Sequence, residues 1–196
     1  VQRRILSRVT AAHNYLSELG NQIADLVHLT DADGVALVTD GVCTISGQTP
    51  EEPDVRRLAK WMDDNADFEV FESRELGKDV TWAEPLRTFA SGLLAIRISR
   101  IPQTYLMWFR PEVVQTVKWA GEPRSRLDKD ERLNPRKSFE IWKELVRGRS
   151  DAWTDTEVES ATDFSVAVMA ISLRRAEEAM QLGEARFLQL TNALPH

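Results

Sequence analysis

The sequence predicts an α+β fold with long helices at both ends around a strand-rich middle. Three observations predict it: an apolar stripe at helical spacing near the start, paired β-rich runs in the middle, and a capped helical pattern near the end. The 196 residues suit one domain with helical extensions or one domain and part of another, and 42% hydrophobic residues are enough for a real core.

Ile5, Val9, Ala12, Leu16, Leu19, Ile23 and Leu26 follow one another at alternating steps of four and three. That is the heptad rule, so residues 5–26 are predicted as one helix with a narrow stripe, and Asp31-Ala32-Asp33-Gly34 supplies the stop. Val35 to Thr39 and Val42 to Ile45 flank Asp40-Gly41, which predicts a hairpin with a type I′ turn because both turn residues tolerate positive φ. Pro50 to Asn65 reads as a helix with Val55, Leu58 and Met62 on one face. Residues 66–91 read as mixed short elements. Gly92 to Ser99 and Tyr105 to Phe109 read as strands joined through Ile101-Pro102-Gln103. Cys43 falls in a predicted strand and reads as a core thiol.

Residues 110–138 are predicted to form a long excursion. Val113, Val114, Thr116 and Val117 favour strand, then Gly121-Glu122-Pro123 opens a charged stretch through Arg132. A short helix follows to about Arg147, stopped by Gly148 at the C′ position. Thr154-Asp155-Thr156-Glu157 is a capping box, and the helical pattern after it lasts to about Asn192, roughly 57 Å at 1.5 Å per residue. Helices that long at both ends suggest a module wired in series.

Composition excludes several classes of function. A net charge of −6 argues against general nucleic-acid binding, which needs a basic surface. Residues 110–149 are the exception, with 11 basic and 7 acidic residues for a net of +4, leaving 14 basic and 24 acidic elsewhere for −10. Such a segment suits an acidic partner or a solvated loop equally. The longest nearly unbroken apolar run, Val166 to Leu173, interrupted by Ser172, is too short to span a membrane, and no secretory signal opens the chain. One cysteine leaves no internal disulfide framework and fits a reducing, cytoplasmic compartment. The chain lacks an initiating Met, so it is expected to be cut from a longer protein.

Catalytic patterns are missing. His13 and His28 carry no phosphoacceptor box, and no nucleophile elbow, zinc-protease motif or Gly-rich phosphate loop occurs. The pairs Glu51-Glu52, Asp63-Asp64 and Glu177-Glu178 are adjacent and point to different helix faces. Asp31-x-Asp33-Gly34 matches only the start of an EF-hand loop. The chain is therefore expected not to be an enzyme, and no metal site is expected.

A set of spaced motifs gives a sharper reading. Trp108-Phe109-Arg110-Pro111-Glu112 is followed by Trp119-Ala120-Gly121, then Pro135-Arg136-Lys137-Ser138-Phe139, then Trp142-Lys143-Glu144. In this order they resemble the tongue of the PHY domain of bacterial phytochrome-type photoreceptors, whose marks are W(G/A)G, PRxSF and WxE. Ser91 to Ile96, Arg147-Gly148-Arg149-Ser150 and Trp153-Thr154 fit the same family, and the resemblance covers essentially residues 1–182. It implies a GAF-like fold, with an antiparallel sheet flanked by helices and a protruding tongue hairpin over about 110–138. Residues 183–196 resemble, more weakly, a linker and the start of a PAS domain.

The resemblance also implies roles. The tongue would contact the bilin-binding GAF domain of the same chain through Trp119, Gly121, Pro135, Arg136, Ser138, Phe139, Trp142 and Glu144. Arg136 would pair with a GAF-domain Asp near the bilin in one state, and Ser138 would take over that Asp when the tongue refolds from hairpin to helix. Trp119 and Trp142 would exchange environments. From the residues alone, Pro135-Arg136 reads as a turn, Ser138 as a helix N-cap and both tryptophans as packing residues. The fragment itself is expected to bind no cofactor. The parent would carry a biliverdin-type bilin, form a homodimer through its long helices, and pass the signal to a downstream PAS or histidine kinase domain. The competing expectation is a GAF-like module that senses a small ligand or dimerises.

Overall fold

The computed structural model describes residues 1–65, 69–114 and 146–192, without the side chains of 182 and 185–192. Its centre is a five-stranded antiparallel sheet in the order β2-β1-β5-β4-β3, formed by β1 (Gly34–Thr39), β2 (Val42–Gly47), β3 (Val70–Ser73), β4 (Gly92–Arg100) and β5 (Gln103–Arg110). Helices α1 (Gln2–Ala11), α2 (Tyr15–Asn21), α3 (Ile23–Leu26) and α7 (Asp155–Asn192) contribute to the core on one face. Helices α4 (Glu52–Asn65), α5 (Leu76–Asp79) and α6 (Arg87–Ala90) lie with the other. The predicted α+β, GAF-like architecture is what the chain forms.

Strand alternation sorts the core. Val35, Leu37, Leu94, Ile96, Leu106 and Trp108 bury against Ile5, Leu19, Phe164 and Val168. Their neighbours Ala36, Val38, Leu93, Tyr105, Met107 and Phe109 bury against Val55, Leu58, Met62 and Leu76. Both faces are covered, so β4 and β5 are buried along most of their length instead of alternating. In the β1–β2 hairpin, Asp40 (φ 47°) and Gly41 (φ 77°) have the two positive angles that a type I′ turn requires. Cys43 is buried as expected, and burial pushes its thiol up to about 11.

The long N-terminal helix is corrected. The stripe keeps its burial, with Ile5, Val9, Leu19 and Leu26 fully covered, but the helix breaks at residues 12–14. Arg4 reaches Asp25 and Arg8 reaches Gln22, so α1 runs back along α2 and α3. Local chemistry favours the break. The Asn14 side chain accepts from the N–H groups of Leu16 (3.0 Å) and Ser17 (3.1 Å), capping α2. Arg175 of α7 donates to the terminal carbonyls of Thr10 (2.9 Å) and His13 (2.7 Å), which a continuous helix would have bonded itself. A heptad stripe reports which side chains are buried. It does not show that the backbone between them is unbroken.

Val113 and Val114 also differ from their strand preference, because their backbone is helical. Strand β5 stops at Arg110 because Pro111 has no N–H for the ladder.

Candidate functional site at the base of segment 115–145

The eight residues singled out by motif, Trp119, Gly121, Pro135, Arg136, Ser138, Phe139, Trp142 and Glu144, all lie in 115–145, outside the described residues. The structure does describe the two ends of that segment and what holds them. Val113 N–H donates to Arg149 O at 2.7 Å, so the chain leaves and returns at one place. Glu112, 5% exposed, anchors the pair. Its N–H donates to Arg87 O (3.0 Å), and its carboxylate accepts from Gly148 N–H at 3.1 Å. Gly148 has φ 68°, the left-handed angle suited to a C′ residue, while the helix predicted to end there, after Ser138 to about Arg147, lies almost wholly outside the described residues. Ser150 then crosses so close to Gly92 that a Cβ there would run into its Oγ.

Arg110 holds this end of the sheet together. It closes β5, is 7% exposed, and its guanidinium serves three separate stretches of chain. Nε and Nη2 donate to Asp31 O at 3.0 and 2.9 Å, and Nη1 donates to Ala152 O at 2.9 Å. Nη2 also pairs with Glu157 Oε1, while the guanidinium carbon lies 4.0 Å from the Trp153 ring centroid. A planar fork with five donors can do this; an ammonium cannot.

Glu157 divides its work between two oxygens. Oε2 accepts from the N–H and hydroxyl of Thr154, both at 2.8 Å, and Glu157 N–H lies 3.3 Å from Thr154 Oγ1, which completes the predicted capping box. Oε1 faces Arg110 and accepts from Asp31 N–H at 2.8 Å. Burial pushes the Glu157 carboxyl up, but the N–H groups of Thr154 and Asp31, the Thr154 hydroxyl and the Arg110 charge together hold it below its ordinary value. A groove of about 690 Å3 beside the pair is lined by Asp31, Asp33 and Asp151. Burial raises the Asp33 carboxyl there, with Arg110 opposing and its two acidic neighbours adding to the rise. Among the described residues no cluster of His, Cys, Asp or Glu could hold a metal ion.

The sequence profile of the PHY family, the phytochrome region, matches residues 1–177. The chain belongs to this family. Its relatives include cyanobacterial phytochrome A of Nostoc sp., 39% identical over 198 residues, which span 98% of this chain and 25% of that protein. The phytochrome-like protein Cph1 of Synechocystis sp. is 37% identical, over 96% of this chain and 25% of its own length. Among solved structures, the Stigmatella aurantiaca phytochrome photosensory core module aligns with a TM-score of 0.67 at 33% identity, covering 88% of this chain and 35% of that one. This PHY domain thus spans about a quarter of the length of those curated relatives, at 25%. No helix among its described residues is long and apolar enough to cross a membrane.

Sequence reasoning placed Arg110 inside a family motif and Glu157 inside a cap, and it missed that the two meet. A signal was present: an Arg closing a run of buried strand residues, 104–109, has to find a buried partner.

Proposed function

We propose that this PHY domain relays the state of a bilin chromophore in a longer red/far-red photoreceptor. Its tongue, about 110–138, contacts the GAF domain that precedes it in the same chain. Arg136 grips a GAF-domain Asp in one state and Ser138 takes that Asp in the other. Trp119 and Trp142 exchange pockets, while Gly121, Pro135, Phe139 and Glu144 shape the two conformers. The helices carry the result to a downstream PAS or histidine kinase domain, in a cytoplasmic homodimer.

The observation that carries this reading is the ordered motif set on a segment whose two ends share one anchored point. A segment held at both ends by Val113, Glu112 and Arg149 can pass a change in its own conformation to one point at the end of the sheet. Exposed Val166, Leu173 and Met180 recur every seventh residue along α7, which suits a second helix of a dimer. The size of the switch is reasonable. Shifting an equilibrium from 1:99 to 99:1 takes about 5.5 kcal/mol, more than the ~1.5–3 kcal/mol of one charge-assisted bond. Repacked tryptophans and altered backbone pairing supply the remainder.

The test restores the upstream region of the gene, loads the protein with biliverdin and compares red-minus-far-red difference spectra of wild type and Arg136→Ala. Reversible photoconversion that is impaired in the variant is the expected result. A wild type that binds no pigment would overturn the reading and leave a GAF-like module to be screened for small ligands.

A further inference from the structure

We infer that the Arg110–Glu157 pair couples the tongue to α7: Arg110 is a positioning residue that transmits displacement of the tongue base to the first turn of the helix. This rests on the relay reading above and assigns one contact within it. The chain that leaves the sheet for the tongue does so at Pro111, the residue after Arg110. The chain that returns passes Arg110 through the Ala152 carbonyl and the Trp153 ring. Any shift of either end therefore moves or releases the guanidinium.

What the guanidinium touches next is the cap of α7. Glu157 holds the first turn with Oε2 while Oε1 is held by Arg110 and by the N–H of Asp31. The two oxygens belong to one rigid carboxylate, so rotating it toward or away from Arg110 changes the geometry at Thr154. Both side chains are shielded, at 8% and 12% exposure, so salt and water screen the contact little. Elsewhere the tongue base meets the sheet and its own return through Glu112, Val113 and Ser150, and the returning chain itself runs on through Trp153 into α7. The pair adds a side-chain link between the departing end of the tongue and the first turn of α7, and it ties both to Asp31, in the loop that leads into β1.

Chemistry offers a way to separate coupling from support. In Glu157→Gln the charge is lost and one amide oxygen is left for the donors of Arg110, Asp31 and Thr154, so the link is weakened, while the Thr154 hydroxyl still accepts from the N–H of residue 157 in either amide orientation. Arg110→Lys keeps the charge but reaches one acceptor in place of three segments. Thr154→Ala is the opposite control, losing the cap's side chain and leaving the ion pair. The protein is the chain with its upstream region restored and biliverdin bound. Two readouts are taken: the red/far-red difference spectrum, and the light-minus-dark change in hydrogen exchange over the first turns of α7.

The expected result is that Glu157→Gln and Arg110→Lys still photoconvert but lose more than half of the wild-type exchange change in α7, whereas Thr154→Ala keeps it. Full exchange changes in both coupling variants would overturn the inference and leave the relay reading standing. The inference fails in the same way if wild-type α7 does not respond to light, or if Thr154→Ala loses the response as completely as Glu157→Gln. A wild type without photoconversion would overturn both.

Discussion

The two ends of the central sheet are built by different means. At one end the chain turns back within two residues, at Asp40-Gly41 and again at Ile101-Pro102, and the two turns meet through Asp40 N–H donating to Gln103 O at 3.0 Å. Ile101 there is 92% exposed. At the other end the strands end against a buried arginine that joins the loop before β1, the return from segment 115–145 and the start of α7. The turns that close the first end are made of local chemistry and little burial. The second depends on contacts between residues 31, 110, 152 and 157, which are far apart in sequence. The relay proposed above would pass through the second end.

The largest effect expected from that contrast is Arg110→Ala. It leaves the Glu157 carboxylate buried without its partner and strips hydrogen bonds from the carbonyls of Asp31 and Ala152. Breaking a buried pair by removing one member costs about 3–5 kcal/mol. Urea denaturation followed by circular dichroism should show the midpoint fall accordingly. A loss under about 1 kcal/mol, the range of exposed pairs, would mean the base is no stronger than the turns.

A glycine substitution at each end makes the next comparison. Ala at Gly92 drives a methyl into Ser150 Oγ and crowds Cβ of Arg110, so the return strand must shift. Overpacking of this kind costs about 1–3 kcal/mol. Gly41 has open space around it and only its φ of 77° against it, so Gly41→Ala should cost about 1 kcal/mol through the backbone. If the two variants melt alike, the close approach at Gly92 has relaxed and the base is looser than the contacts imply. Ser150→Gly should recover part of the Gly92→Ala loss and none of the Gly41→Ala loss.

The same contrast explains what was legible in the sequence. The Asp-Gly turn, the α4 face of Val55, Leu58 and Met62, and the Thr154–Glu157 cap each lie within a few residues of one another, and local chemistry settled them. The α1 break was not legible because Arg175, more than 160 residues later, satisfies the carbonyls that end the helix. Nor was the Arg110–Glu157 pair, whose members are 47 apart in sequence. The motif residues Arg136 and Ser138 were legible only through family resemblance. Their own chemistry reads as a turn and a cap, and the acceptor proposed for them belongs to a different domain.

The smallest effect expected is a difference in how the two ends respond to pH. At the base, the folded state holds Glu157 below its ordinary 4.5. Its stabilisation is therefore present above that value and is lost as pH falls through the lower folded one. At the turn end, burial pushes the Tyr105 hydroxyl up to about 12, helped by its bond to Asp63 and opposed by Arg97. A raised value reverses the sign: stability from Tyr105 is complete below its ordinary 10.0 and declines as pH rises toward 12. Denaturation across pH should then show Glu157→Gln flattening the acid limb alone and Tyr105→Phe flattening only the alkaline limb. Cys43, raised to about 11, adds to the alkaline side, so Tyr105→Phe should leave a residual slope there that Cys43→Ala removes. If either of the Glu157 and Tyr105 variants flattened both limbs, the ends would share one electrostatic network, and the sheet between them could not be treated as two separately built edges.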